Sequence, residues 1–316
     1  MDTKTLIEVE QLYRYYGHHL AVDAISFELS QGEVLGFLGP NGAGKSTTMQ
    51  IITGNLAPSA GRITINGIDL LDQPRLAKAE IGYLPEQPPV YLDLTVDEYL
   101  VYCAKLHRVN SSQRGKAVTR AKQRCGLEQV NRRLIGNLSK GYQQRVGIAQ
   151  AILHDPTIVI LDEPTVGLDP NQIRDIRSLI RELGERHGII LSTHILPEVQ
   201  ATCSRVQIIN RGKLVFSETM QSLEQRLTSQ ILILETREPV SPDILLELEN
   251  IDSIERLTDH RVRLHFSADN PAEKVAACVA AHGWCLLELA LDKQTLEQMF
   301  VELTCSEQTE SDEEAA

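Results

Sequence analysis

The sequence predicts an α/β fold in which a parallel sheet carries a phosphate-binding loop and a small α+β domain follows. Three observations predict it. A glycine-rich segment, GPNGAGKST at residues 39–47, stands between an apolar strand pattern and a helix pattern. A second apolar run, at residues 157–161, has the β-branched composition of a buried parallel strand and precedes two acidic residues. Beyond residue 229, strands and helices follow the order β-α-β-β-α-β of a ferredoxin-like fold.

The glycine-rich segment has the spacing G-x-x-x-x-G-K-[ST] of a phosphate-binding loop. Its glycines let the backbone approach phosphate oxygens closely, and the N–H groups at the start of the following helix attract their negative charge. Lys45 is predicted to pair with the β- and γ-phosphates, and Ser46 to bind Mg²⁺. The predicted nucleotide-binding residues of this loop are Gly39, Pro40, Asn41, Gly42, Ala43, Gly44, Lys45, Ser46 and Thr47.

The second strand ends in Asp162 and Glu163. Carboxylates at the carboxyl end of a parallel strand face the same crevice as a phosphate loop at that edge of the sheet. Asp162 is therefore predicted to bind Mg²⁺ through its water shell. Glu163, one residue further, is placed to act as the general base that polarises an attacking water. The alternative is a solvated acidic loop without a catalytic role.

The remaining patterns divide the chain into three parts. Residues 1–228 form the nucleotide-binding domain, with an antiparallel β subdomain near its start and a helical lobe at about 94–151. Residues 229–303 form the ferredoxin-like domain, which has no catalytic set of residues and is predicted to support dimerisation or regulation. Residues 304–316 are acidic, lack core-forming side chains and are predicted to be disordered.

Composition excludes several functional classes. The chain has 316 residues, a net charge of −12 and 4% aromatic residues, which argues against nucleic-acid binding and against attraction to anionic lipid headgroups. No apolar run approaches the roughly 18 residues of a membrane span. We therefore expect a cytoplasmic protein without direct membrane insertion, whose membrane role would require a separate subunit.

A further loop carries a resemblance to a known family. LSKGYQQR at residues 138–145 places Ser139 as a helix N-cap, with a helix pattern from Gln143, and a helix N-terminus binds phosphate. With the two motifs above, the segment resembles the LSGGQ loop of the nucleotide-binding subunits of ABC transporters. Lys140 and Tyr142 depart from that motif. The resemblance implies that Ser139 and Gly141 face the γ-phosphate bound by a partner subunit.

The same resemblance assigns four more residues. It implies that Glu163 is the catalytic base, that His194 in STH senses the γ-phosphate and orients the catalytic water, and that Asp169 in VGLDP lies at a dimer contact. An aromatic residue ahead of the phosphate loop stacks on adenine in the family, which implies this role for Tyr16. The alternative for Tyr16 is a tyrosine packed in an antiparallel sheet.

The family's glutamine that links Mg²⁺ to the membrane partner has no exact counterpart. In IGYLPEQPP at residues 81–89, its register falls on Glu86, and Gln87 comes next. Either Glu86 binds the metal, or the loop is shifted by one residue and Gln87 does so. The prolines of this segment oppose a shift. LPEQPPVY and LSKGY together resemble the ATPases paired with ABC-2 type membrane subunits, which include gliding-motility and multidrug or antibiotic exporters.

The resemblance, which covers about residues 6–226, implies a Mg²⁺-dependent ATPase that drives a separate multispanning permease, with export favoured. ATP would close two ATPase subunits head to tail, as a homodimer or a heterodimer, on the inner face of the cell membrane. The alternative is an ABC ATPase that acts on a soluble assembly. A phosphate-loop kinase is disfavoured, because it has no use for a second phosphate-facing loop contributed by another subunit.

Overall fold

The computed structural model describes residues 4–227, 230–267, 269–292 and 296–305. These residues divide into two compact units. The first runs to Met220 and includes residues 303–305, and the second spans Gln221–Glu302. The domain boundary at residue 228 remains a prediction. The acidic tail predicted at 304–316 lies, from residue 306 onward, outside the described residues.

The elements of the first unit, in chain order, are β1 (Thr5–Tyr16), β2 (His19–Ser30), β3 (Val34–Leu38), α1 (Lys45–Ile52), β4 (Ala60–Ile65), β5 (Ile68–Asp69), α2 (Pro74–Ala79), β6 (Ile81–Leu84), α3 (Val96–Leu106), α4 (Ser111–Arg124), α5 (Lys140–Ile152), β7 (Ile158–Asp162), α6 (Pro170–Gly184), β8 (Gly188–Thr193), α7 (Leu196–Thr202), β9 (Arg205–Asn210) and β10 (Lys213–Thr219). Two 3₁₀ turns, Glu128–Val130 and Ile135–Asn137, precede α5.

A six-stranded sheet with the order β10-β9-β3-β8-β7-β6 forms the centre of the first unit. Its strands are parallel except for β10, which pairs antiparallel with β9 at the edge. Every residue of β3, β7 and β8 is buried. The continuous apolar runs of these strands follow from this position, because an inner parallel strand is covered on both faces.

A four-stranded antiparallel sheet, β2-β1-β4-β5, forms the predicted β subdomain. The turn between β4 and β5 contains Asn66 and Gly67, both with positive φ (50° and 79°). This is the backbone that an Asn-Gly hairpin turn requires, as the sequence predicts. One hydrophobic core joins side chains from both sheets and from α1.

The helical lobe contains α3, α4 and α5. Thr95 and Glu98 form a reciprocal capping box at the start of α3. Helix α5 begins at Lys140, earlier than the predicted start at Gln143, because the Ser139 hydroxyl accepts a hydrogen bond from the Tyr142 N–H (3.4 Å) and caps the first turn. Within the part of the chain that is described, no helix combines the length and apolarity needed to cross a bilayer.

The second unit has its own sheet and core. Its elements are α8 (Met220–Leu227), β11 (Ile231–Thr236), α9 (Pro242–Leu246), β12 (Ser253–Arg256), β13 (Arg261–His265), α10 (Ala272–Ala281), β14 (Leu286–Leu291) and α11 (Leu296–Cys305). From β11 to β14 the order is β-α-β-β-α-β, and the antiparallel sheet has the order β12-β13-β11-β14. Buried residues including Leu234, Val262 and Val275 form the core. Assignment to the ferredoxin-like class remains a prediction.

Candidate functional site

The order of the central sheet brings three chain segments together. Strands β3, β8 and β7 are neighbours and run parallel, with Leu38 opposite Thr193 and Ser192 opposite Asp162. Their carboxyl ends therefore lie at one edge of the sheet, where α/β proteins bind ligands. The phosphate loop follows β3, Asp162 ends β7, and His194 follows β8.

The phosphate loop has a backbone that requires glycine at specific positions. Gly44 has φ = 104° and stands at the N-cap of α1, without a side-chain cap that would occupy the first-turn N–H groups. A Cβ atom at Gly44 would lie 2.6 Å from the carbonyl oxygen of Ala21, and one at Gly39 would lie 2.4 Å from that of Ile209. These close approaches leave the loop backbone and the N-terminus of α1 available to phosphate oxygens.

Lys45 is buried at the base of this loop. Its ammonium group donates hydrogen bonds to the carbonyl oxygens of Gly39 (2.9 Å) and Pro40 (3.2 Å) and lies 3.8 Å from Oε1 of Glu163. Burial lowers the pKa of Lys45, while the negative charges of Glu163 and Asp162 raise it. The amine thus stands between the phosphate loop and the acidic strand end, as its predicted role requires.

Asp162 and Ser46 have the chemistry of a magnesium site. Asp162 is 2% exposed, and its buried Oδ1 has no hydrogen-bond partner. Burial raises the pKa of Asp162, while the neighbouring hydroxyls of Ser192 and Ser46 lower it. A buried, unpartnered carboxylate oxygen close to a hydroxyl supplies oxygen donors of the kind that Mg²⁺ prefers. The residues present fit the predicted metal.

Glu163 is held at both carboxylate oxygens. His194 Nδ1 lies 2.9 Å from Oε1, and the Thr193 hydroxyl lies 3.4 Å from Oε2 and can donate to it. The Glu163 N–H donates to the Ser192 carbonyl oxygen (2.8 Å). Glu163 has φ = 49°, a left-handed conformation that is unfavourable for a residue with a side chain, so these contacts fix an otherwise costly geometry.

A cavity of about 540 Å³ unites most of the predicted nucleotide-binding residues, and we call it the nucleotide cleft. This volume suits a small-molecule ligand. The predicted residues that line it are Tyr16, Asn41, Gly42, Gly44, Lys45, Ser46, Thr47, Glu86, Glu163 and His194. His19, Ala21 and Val166 also line the cleft and were not predicted, because only the folded chain brings them beside the loop.

Tyr16 lies at the end of β1 and lines the nucleotide cleft with a side chain that is 45% exposed. The Arg14 guanidinium stands 4.8 Å from the centre of its ring. This exposure does not match the alternative of a packed tyrosine. The ring is available for a ligand, and its stacking on adenine remains a prediction.

We expect Tyr16→Ala to weaken ATP binding by roughly 5- to 100-fold, because stacking of a base on an aromatic side chain contributes about 1–3 kcal/mol. Tyr16→Phe keeps the ring and should bind ATP normally. Tyr15→Ala is the matched control, since Tyr15 is similarly exposed (48%) but does not line the cleft. Equilibrium binding of a fluorescent ATP analogue measures all three. Equal affinity in the Tyr16 and Tyr15 alanine variants would exclude stacking.

Glu86 and Gln87 occupy different positions relative to the cleft. Glu86 lines both the nucleotide cleft and a neighbouring cavity of about 490 Å³, whereas Gln87 lines only the neighbouring cavity. The negative charge of Glu86 also raises the pKa of Lys45 and of Asp162. Of the two, Glu86 is therefore the residue that faces the nucleotide cleft, and its binding of a metal remains a prediction.

Eight predicted residues do not line the nucleotide cleft of their own chain. Five of them lie within two positions in the chain of a residue that does line it, namely Gly39, Pro40, Ala43, Gln87 and Asp162, whereas Ser139, Gly141 and Asp169 do not. Ser139 is exposed at the N-terminus of α5, and Gly141 packs so closely on Gln172 that a Cβ atom would lie 2.4 Å from its side-chain oxygen. Asp169 caps α6, where its Oδ1 accepts hydrogen bonds from the N–H groups of Asn171 and Gln172 (both 3.0 Å). In a single chain, the surroundings of these three residues are therefore the starts of α5 and α6 rather than the nucleotide cleft.

The phosphate loop, the acidic strand end and the glutamate–histidine contact define a nucleotide-binding ATPase of the phosphate-loop class. A family model described as ABC transporter matches residues 22–166. The linearmycin resistance ATP-binding protein LnrL of Bacillus subtilis (strain 168) is 31% identical over 95% of this chain and 98% of its own length. The bacitracin transport ATP-binding protein BcrA of Bacillus licheniformis is 32% identical over 95% and 97%. The chain therefore belongs to the ABC transporter family, as an ATP-binding and ATP-hydrolysing subunit.

A solved structure of an ATP-binding subunit of an ABC transporter has the same fold. It is 32% identical to this chain, with a TM-score of 0.64, and the match covers 70% of this chain and 93% of that one. The predicted α/β core with its phosphate loop is thus confirmed.

Proposed function

We propose that this chain powers export through a separate multispanning permease, and that two ATPase subunits close head to tail around ATP. One observation carries the dimer: Ser139 and Gly141 lie outside the nucleotide cleft of their own chain. A phosphate-facing role for them requires a second subunit. The proposal of export is supported by the relatives named for bacitracin transport and linearmycin resistance, which match nearly the whole chain.

Five residues at or beside the cleft have roles in this proposal. Lys45 and the N-terminus of α1 would hold the phosphates of ATP, and Ser46 and Asp162 would hold Mg²⁺, with Asp162 acting through water. When bound, the ion would supply positive charge beside the phosphates. Glu163 accepts a proton from the attacking water, and His194, 2.9 Å from its Oε1, fixes the orientation of that carboxylate. Partner-subunit Ser139 would complete the site.

Closure of the dimer is the step that couples hydrolysis to transport. ATP binds the closed state better than the open state and therefore shifts the population towards it, and hydrolysis releases the dimer. The second subunit is either another copy of this chain or a related ATPase. Because ATP is supplied from the cytoplasm, the complex would lie on the inner face of the cell membrane.

Purification from detergent-solubilised membranes tests the transporter assignment. The tagged chain is expected to retain a multispanning membrane protein, and ATPase activity should rise when that protein is present in lipid vesicles. Recovery of the chain only with a soluble assembly, without stimulation by any membrane protein, would support the non-transport alternative.

Glu86 is proposed to couple the metal site to the permease. Its carboxylate adds negative charge beside Asp162 and Glu163, so we propose that it closes on the metal only when ATP and Mg²⁺ are both bound. Glu86→Ala should lower permease-stimulated ATPase activity and transport, with little change in ATP affinity. Gln87→Ala is the matched control from the adjacent position. ATPase activity and transport of the two variants are compared with the permease in lipid. A larger loss in the Gln87 variant would indicate that the loop is shifted by one residue, so that Gln87 and not Glu86 approaches the metal.

A further inference from the structure

Glu198 is a carboxylate buried beside the proposed catalytic pair. It lies on α7, four residues after His194, and is 1% exposed. Its Oε1 accepts a short hydrogen bond from the Thr165 hydroxyl, and its Oε2 accepts one from the Thr193 hydroxyl (3.1 Å). Both threonines are also buried, at 2% and 0% exposure. The carboxyl group of Glu198 thus connects the segment after β7 to the end of β8.

The two threonines that bond Glu198 lie next to Glu163 and His194 in the sequence. Thr165 follows Glu163 by two residues, and Thr193 directly precedes His194. The Thr193 hydroxyl accepts a hydrogen bond from the Ile195 N–H (3.1 Å), and its single hydrogen can reach either Glu198 Oε2 or, at 3.4 Å, Glu163 Oε2. The Thr193 hydroxyl therefore lies between the carboxyl groups of Glu198 and Glu163, within hydrogen-bond distance of both.

Burying the carboxyl group of Glu198 costs free energy unless hydrogen bonds compensate for the loss of water. On the same face of α7, one turn further, Thr202 is also buried and polar, and its hydroxyl donates to the Glu198 backbone carbonyl. Burial raises the pKa of Glu198, while the hydrogen bonds from Thr165 and Thr193 and the charge of Arg177 lower it. Removing this acceptor would leave the two buried threonine hydroxyls without it, which costs stability. The effect of the carboxyl group on catalysis therefore has to be measured separately from its effect on folding.

We propose that Glu198 is a positioning residue for ATP hydrolysis, which ties the segment after Glu163 to the end of β8, directly before His194, and so holds the Glu163–His194 pair in a reactive orientation. The inference rests on the proposed roles of these two residues. Glu198 does not line the nucleotide cleft, so it acts through Thr165 and Thr193. A small displacement of a reacting group is enough to lower a rate substantially.

The test compares Glu198→Leu with Glu198→Gln in the full chain. The leucine variant loses both hydrogen bonds, and its kcat for ATP should fall about tenfold or more, while KM changes less than about twofold because the phosphate loop is unaltered. The glutamine variant should recover most of the activity, because threonine hydroxyls can both donate to and accept from an amide. Thr202→Val is the matched control, since the Thr202 hydroxyl bonds the Glu198 backbone carbonyl and not its carboxylate.

Thermal unfolding of each variant separates positioning from folding. If Glu198→Leu fails to fold, Thr165→Val decides, because it removes a hydroxyl that bonds Glu198 and not Glu163 while keeping the side-chain shape. It should lower kcat by a similar factor. A folded Glu198→Leu variant with wild-type kcat, or an unchanged kcat in Thr165→Val, would overturn the proposal. All of these activities are measured on the chain without a permease. Failure to find a permease would therefore contradict the transporter assignment, but it would not change the outcome of this test of Glu198.

Discussion

Glu163→Gln is expected to lower ATP turnover about 10²-fold or more, the usual contribution of a general base. Glutamine keeps the shape of the side chain and can retain contacts with His194 and Thr193, so the change removes the proton acceptor and little else. ATP binding should survive because the phosphate loop is intact. The variant should therefore accumulate as an ATP-bound dimer, which steady-state kinetics and size-exclusion chromatography with ATP would both detect.

Glu185→Gln is the control for this experiment. Glu185 is an exposed glutamate at the C-cap of α6, outside the nucleotide cleft, and its replacement should leave turnover unchanged. Near-normal turnover in Glu163→Gln would remove Glu163 from its proposed role. It would also leave the positive φ of this residue and the contacts at both carboxylate oxygens without a catalytic explanation.

Two inactive variants are expected to restore activity when they are mixed. Lys45→Ala removes the phosphate-binding amine, and Ser139→Arg places a bulky side chain at the N-terminus of α5; each should lower hydrolysis about 10²-fold alone. In a mixed dimer, the Lys45 of one chain and the Ser139 of the other form one intact site. If the sites act independently, an equal mixture should recover about a quarter of wild-type activity, because half of the dimers are mixed and each has one intact site.

Ser139→Arg also removes the N-cap of α5, which costs about 1 kcal/mol of stability, so thermal unfolding must accompany the activity assay. Lys140→Arg is the matched control, since it alters the next, exposed residue while keeping its charge. Normal hydrolysis by Ser139→Arg alone would contradict the shared site. A mixture no more active than its components would instead exclude complementation between the two chains.

Local patterns were sufficient for the phosphate loop and the acidic strand end. The phosphate loop depends on glycine backbone geometry and on one strand–loop–helix unit, so a nine-residue segment contains its signal. The apolar, β-branched run before Asp162 likewise predicts a buried parallel strand, and every residue of β7 is buried. Ser139 as an N-cap is a local property of the same kind.

The residues that position Glu163 could not be predicted in this way. Thr193 is 30 residues from Glu163 in the chain, and Glu198 is 33 residues from Thr165. Their hydrogen bonds exist because β7 and β8 are neighbours and α7 packs against β8. The STH motif did include Thr193, but a threonine before a histidine has no local feature that marks a catalytic contact. Only the pairing of the strands reveals it.

The choice between Glu86 and Gln87 also depends on tertiary structure rather than on local sequence. The prolines around them oppose a shift of register, yet both residues are polar, adjacent and chemically able to approach a metal. The folded loop directs Glu86 to the nucleotide cleft and Gln87 to the neighbouring cavity.

The sequence by itself thus determined the class of fold, the phosphate loop, the acidic strand end and the family resemblance, because each depends on residues close together in the chain. The tertiary structure alone decided which side chains surround Glu163, which residue of the 86–87 pair faces the cleft, and that Ser139 and Gly141 stand apart from it. These are contacts between distant segments. For Glu163 and Glu86, the physical cause of these contacts is the strand order β3-β8-β7-β6, which no short motif encodes.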